Sequence, residues 1–293
     1  MDKKQDKPRV DQIDQLYDAV REYRSSDAFR KMMQTVSNFP RLSPYNAMLV
    51  AMQKPGSYYV ASIKVWRGFH RRPKPEARPL VILRNFGPID FVYEYNDTEG
   101  EEIPEDVLSS VLLHPFRTNQ VVSEPMIERL IREMRYDGLE YEEKDYGQDL
   151  AAKIRTTRGK MRLLPSQETS RYVNRCATIY ANKNLGTTEK FASILHELGH
   201  FYCGHLGRFG VKFIPERYSP TLETKEFEAE TVAWLCCERM GIKNPSVEYL
   251  SGYTQGGEIP PVMISAILKA AGSIEKLLQG KATVRNELRV KRE

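Results

Sequence analysis

His196 and His200 stand four residues apart, with Glu197 directly after the first. On a helix of 3.6 residues per turn, that spacing leaves the two rings about 40° apart on one face, so their nitrogens can meet at a single cation. The run His196-Glu197-Leu198-Gly199-His200 therefore predicts a metal-assisted hydrolysis. Two imidazoles hold zinc, and the neighbouring carboxylate takes a proton from the water that attacks a peptide bond. One zinc ion per chain is the expected cofactor, Glu197 the expected proton acceptor, and a protein the expected substrate.

Catalytic zinc takes three protein ligands and keeps one position open, which leaves a third ligand to be found. The helical pattern of Phe227, Ala229, Val232, Ala233, Leu235 and Cys236, ended by Gly241, carries Glu226 and Glu230 on one face. Glu226 is assigned to the metal. Glu230 is assigned to the free ring nitrogen of a ligand histidine, a bond that fixes tautomer and orientation. Glu228 is expected to face elsewhere. His205 is the rival third ligand, but the longer three-histidine motif has its last His six residues beyond the second, and here it stands at five. Cys203 could also approach the metal, although packing is its ordinary role, and Tyr253 offers only a phenol. A donor for the developing oxyanion is required as well, and His205, Tyr202 and Tyr180 are the candidates near in sequence.

These side chains need elements to position them. Thr187 and Thr188 with Glu189 mark a helix start, Phe191, Ile194, Leu195, Leu198 and Phe201 form one buried stripe, and Gly204 and Gly207 supply the stop. Residues 177–181 read as a strand that leads into the helix through a turn at 182–186, and such a strand could accept an extended peptide along its edge. Elsewhere, helices are expected over 10–37, 44–53, 125–135 and 260–278. Strands are expected over 58–66, 80–83 and 91–95, with an acidic loop at 96–105.

Charge is unevenly spread. Between Arg41 and Arg84 nine basic residues face the single acid Glu76, a local charge of +8 in a chain whose net charge is +5. Lys64, Arg67, Arg71, Arg72, Lys74 and Arg78 could track phosphates while Trp66 and Phe69 stack bases, which makes single-stranded DNA the expected second partner. The 293-residue length favours an α+β chain of two domains, over 1–120 and 121–293. No apolar run approaches the ~20 residues of a membrane span, and the N-terminus has no signal-peptide core, so a cytoplasmic location is expected. The four cysteines, Cys176, Cys203, Cys236 and Cys237, show no Cys-x-x-Cys spacing and suit a reducing compartment.

The strand and its Asn-containing turn, Phe191 to His200, and the run Glu226 to Ala233 together resemble the ImmA/IrrE family of zinc metallo-endopeptidases. The last run is similar to that family's Glu-x-x-Ala-Asn-x-Phe-Ala, with Glu230 in place of Asn and Val232 in place of Phe. The resemblance implies a zincin-like domain of gluzincin type with Glu226 as third ligand. Leu42 to Leu49, Gln53-Lys54-Pro55 and Lys64-Val65-Trp66 resemble the single-stranded-DNA-binding module of ArdC-like antirestriction proteins, in which that module precedes a metallopeptidase domain. The combined expectation is a metallo-endopeptidase that cleaves a regulatory or DNA-associated protein. The alternative is an antirestriction single-strand binder whose zinc is structural.

Overall fold

Apolar stripes at helical spacing open the described part of the chain. The computed structural model describes residues 26–84, 87–113, 121–147, 150–164, 171–242 and 259–290. Helix α1 (Ser26–Ser37) buries Phe29, Met32, Met33 and Val36 along one face; the expected start of this helix, residues 10–25, lies outside the described residues. Helix α2 (Pro44–Gln53) begins at Ser43, whose hydroxyl accepts the Asn46 N–H at 3.3 Å, with proline in its first turn.

Strands β1 (Val60–Ser62), β3 (Leu80–Arg84) and β4 (Gly87–Glu94) form an antiparallel sheet in the order β1-β4-β3. The outer edge of β3 is closed by two side chains of α2. Asn46 exchanges hydrogen bonds with the Leu83 backbone at 2.9 and 3.0 Å, and Gln53 does the same with Val81 at 2.8 Å. A short helix α3 (Ile63–Gly68) follows β1, and β2 (Arg71–Pro73) pairs antiparallel with β5 (Thr98–Gly100).

Two expectations are corrected here. The strand over 58–66 gives way at Ile63 to α3, because a helical turn buries Trp66 completely and lets its indole N–H reach the Tyr93 carbonyl at 2.9 Å. Tertiary burial outweighs the strand preference of Ile63 and Val65. Trp66 is thus a core residue and offers no face to a base, and Phe69 packs beside it with ring centroids 6.5 Å apart. The acidic loop is also not a free loop. It folds onto the basic segment through β5, pairing Arg72 with Glu99 at 2.9 Å and Lys54 with Asp97 at 2.6 Å. Arg71 is buried, with its guanidinium given to the Thr98 hydroxyl and carbonyl and stacked 4.2 Å from the centre of the Tyr95 ring. Much of the local +8 is cancelled; Lys64, Arg67 and Arg78 stay exposed and Lys74 is half-buried. Replacing Trp66 by Ala should cost about 3–5 kcal/mol in urea unfolding, as expected for emptying a large core position.

After helices α4 (Glu105–Leu108) and α5 (Glu124–Met134), strands β6 (Leu139–Lys144), β7 (Ala152–Arg162) and β8 (Tyr172–Asn182) make a mixed sheet. Its order is β6-β8-β7, with β6 parallel and β7 antiparallel to β8. The expected strand at 177–181 is therefore the central strand, with both edges occupied, and cannot itself accept a peptide; the outer edges of the sheet are those of β6 and β7. Helices α6 (Thr187–Tyr202), α7 (Leu222–Arg239) and α8 (Ile264–Leu278) complete the α+β architecture.

Residues from both sides of position 120 feed one buried cluster that includes Phe29, Val36, Leu130, Ile179, Phe227, Leu235 and Ile267. Phe29 meets Phe227 with ring centroids 5.4 Å apart. Nearby, the buried guanidinium of Arg239 donates to the carbonyls of Val36 at 2.8 Å, Phe39 at 3.1 Å and Leu42 at 2.6 Å while pairing with Glu275. These bonds tie the end of α1 and the turn after it to α7. Among the described residues, no helix is long and apolar enough to cross a membrane.

Candidate metal centre

Helix α6 is capped at Gly186, whose N–H is accepted by Glu189 at 3.2 Å, and α7 at Thr221, whose hydroxyl accepts the Thr224 N–H at 3.2 Å. The two helices touch backbone to backbone. A Cβ on Gly199 would lie 2.9 Å from both Cα and O of Ala229, a separation real Cβ atoms do not tolerate. Glycine within the histidine motif thus brings the two ligand-bearing helices to contact distance.

That contact gathers His196, His200 and Glu226 into a group whose donor atoms all lie within 4.8 Å of one another. The two Nε2 atoms are 3.1 Å apart, and Glu226 lies 3.3 Å from Nε2 of His196 and 3.6 Å from Nε2 of His200. Donors bound tetrahedrally at about 2.0–2.1 Å from zinc stand roughly 3.3 Å from each other, so the triangle has the right size.

Hydrogen bonds behind the rings fix which nitrogens face inward. Nδ1 of His196 is 3.0 Å from Oε2 of Glu230, an acceptor, so it carries the proton and leaves Nε2 as a lone pair. Nε2 of His205 is 2.8 Å from Glu228, so its Nδ1 is the acceptor 2.9 Å from Nδ1–H of His200. Burial keeps His205 below its ordinary pKa and hence neutral, despite Glu228. His200 therefore also presents an Nε2 lone pair. Two such lone pairs at 3.1 Å repel unless a metal ion or a proton sits between them.

Electrostatics agrees with that demand. Burial works against a charged His196, but hydrogen bonds to Glu226 and Glu230 outweigh it and push its pKa up to about 10. With protons in place of a metal on the two Nε2 atoms, hydrogen bonds from His196 and then His200 hold Glu226 well below the usual carboxylate range. A proton or a metal ion would answer the same negative charge. Glu197 is 8% exposed; burial raises its pKa against the pull of His196 and His200, and it accepts the Ile154 N–H of β7.

A second group, Cys203, His205 and Glu228, is wholly buried. It is already filled. Arg217 donates to both oxygens of Glu228 at 2.7 and 3.0 Å, and the Met263 N–H donates at 2.6 Å. Burial pushes the Cys203 thiol far up, keeping it neutral. Burial likewise opposes the charge on Glu228, yet bonds from His205, Arg217 and Met263 hold its carboxyl below the ordinary range. The result is a chain of contacts, Arg217 to Glu228 to His205 to His200, that ends at a ligand nitrogen.

The expected oxyanion donors need correction. His205 stands behind His200, both nitrogens engaged, and Tyr202 is buried with its hydroxyl on Asp137 at 2.6 Å. Tyr180 is half-buried on β8, with Lys144 5.5 Å from its ring centre. Sequence reasoning missed Arg217, which sits in an irregular segment with no periodicity to flag it, and the role of Glu228, read only as pointing away.

No family model and no curated protein matches the chain, so the likeness to ImmA/IrrE peptidases rests on the motif residues alone. Among solved structures, the Mn(II)-bound antirestriction ArdC protein from plasmid R388 aligns at TM-score 0.37 and 13% identity, over 86% of this chain and 96% of that one. Its metal-free form aligns at TM-score 0.35 and 14% identity, over 81% and 84%.

Proposed function

We propose that this chain is a metal-dependent endopeptidase of the His-Glu-x-x-His type, with zinc as its ion. The observation that carries the reading is the pair of inward Nε2 atoms, oriented by Glu230 and by His205 with Glu228, facing Glu226 next to a buried Glu197. Two imidazoles and a carboxylate suit zinc, and three protein donors leave a position open, as in catalytic rather than structural sites. A bound ion would supply Lewis-acid polarisation of the scissile carbonyl and make water acidic enough to deprotonate near neutral pH.

The chain's own residues do the rest. Glu197 takes the proton of the attacking water and returns it to the leaving amine. Its burial suits the task, because a carboxyl whose pKa is raised holds that proton more readily between the two transfers. The Ile154 N–H keeps the carboxylate aimed from the strand side. Glu226→Ala should lower zinc affinity by a hundredfold or more, roughly the loss of one of three ligands, measured by competition with a chelating dye. The same titration on Glu230→Ala and His205→Ala should show smaller losses; an unchanged affinity in Glu226→Ala would remove it from the ligand set.

A second reading makes the metal structural in an antirestriction protein that acts by binding single-stranded DNA. The exposed cations Lys64, Arg67 and Arg78 favour it. It expects full function in a Glu197→Gln variant, where the peptidase reading expects none.

A further inference from the structure

We propose that the outer edge of β7 docks an extended acidic stretch of polypeptide beside the metal centre, which gives the hydrolase reading above, on which the location rests, a substrate class. β7 is the end strand of its sheet, and among the described residues no strand pairs with its outer side. In the other three-stranded sheet, the edge at β3 is closed by the amides of Asn46 and Gln53. Among the described residues, β7 has no such amide clamp, and Glu197 takes the Ile154 N–H on its outer side.

Its composition is one-sided. Eleven residues carry Lys153, Arg155, Arg158, Lys160 and Arg162 and no acid. Arg155, Arg158, Lys160 and Arg162 are exposed. No ion pair among the described residues engages Arg155, Arg158 or Lys160, whereas the cations around β2 and β5 are matched by Asp97 and Glu99. Arg162 lies over the half-exposed Tyr172. Like charges held this densely along one strand repel each other and favour an anionic partner.

The edge also leads to the chemistry. The Ile154 N–H reaches Glu197, so at this residue the backbone points away from β8. The pleat then turns the Thr156 N–H and C=O the same way, ready for an added strand. A bulge between Thr156 and Gly159 takes up one residue, so at about 3.3 Å per residue Lys160 stands roughly 17 Å along the strand from Ile154, and the cations flank a peptide whose scissile bond lies at the metal. A polypeptide backbone matches the alternating donors and acceptors of a strand edge, and a sugar-phosphate backbone does not; exposed rings for stacking bases are also few on this strand.

The test is fluorescence anisotropy with full-length, zinc-loaded Glu197→Gln protein, which holds peptide without cutting it. The probes are a labelled Glu-Val repeat about ten residues long, its Lys-Val counterpart, the Glu-Val peptide N-methylated at alternate residues, and a labelled oligo(dT) strand. The acidic repeat should bind, the basic one should not, and N-methylation should weaken binding by about tenfold or more, since it blocks pairing without changing charge. Arg155→Glu with Arg158→Glu and Lys160→Glu should also weaken it by at least about tenfold, whereas the charge-matched Lys64→Glu, Arg67→Glu and Arg78→Glu should not. Equal effects of the two triple variants, or equal binding of the N-methylated peptide, would overturn the proposal. So would no peptide binding at all, which would leave the cations as guards against strand-to-strand aggregation, or oligo(dT) binding lost only in the β7 variant, which would make the edge a nucleic-acid surface. Docking without hydrolysis by the unmodified protein would sink the endopeptidase reading and leave this one standing.

Discussion

Glu197→Gln should abolish peptide hydrolysis while the protein still holds one zinc ion. Glutamine keeps the shape of the side chain and can still accept the Ile154 N–H, but it cannot take a proton. General-base groups contribute about 10²–10⁴ in rate, so a fluorescence-quenched peptide library should be cut slower by that factor, with metal content unchanged by elemental analysis. Residual cutting at the unmodified rate would move the base to another residue. Loss of zinc would instead mean that Glu197 holds the site together, and its catalytic assignment would fail.

Glu228→Ala should be the most damaging single change to stability near the site. Glu228 is fully buried and answers Arg217, His205 and the Met263 N–H together. Removing it strands a guanidinium whose side chain is 7% exposed, a loss of about 3–5 kcal/mol for one half of a buried pair. Zinc affinity should fall as well, by about 10–100-fold, because His205 loses the acceptor that fixes its tautomer and so the orientation of His200. The combination Glu228→Met with Arg217→Met separates the two effects. Chemical denaturation should show much of the stability restored, since neither charge is left alone, while zinc affinity stays low. Recovery of both would reduce the chain from Arg217 to His200 to packing.

What was legible in the sequence was local. The spacing of His196 and His200, the stripe from Phe191 to Phe201 and the phase of Glu226 against Glu230 all follow from helical periodicity, and the helices formed close to the expected bounds. The illegible part depended on which segments meet. Glu99 and Asp97 were read as a loop's acids, and only the β2–β5 pairing turns them onto Arg72 and Lys54. Trp66 looked like a base-stacking ring because its neighbours are cationic, yet its own burial decides its role. The five cations of β7 drew no expectation from the sequence, because neither the strand nor its place at the edge of a sheet is marked by local periodicity.

The Arg239 junction bears on how the chain folds during synthesis. Its hydrogen bonds to Val36, Phe39 and Leu42 span 203, 200 and 197 residues of sequence. Helix α1 therefore emerges from the ribosome long before its partner on α7, and the part of its apolar face that meets α7, at Phe29, stays open for most of translation. Pairings this distant slow folding, because the loop must close before its contacts stabilise anything. Truncations that end before α7 should expose that part of the face permanently and depend on chaperones for solubility, whereas the full-length chain can cover it once residue 239 is made.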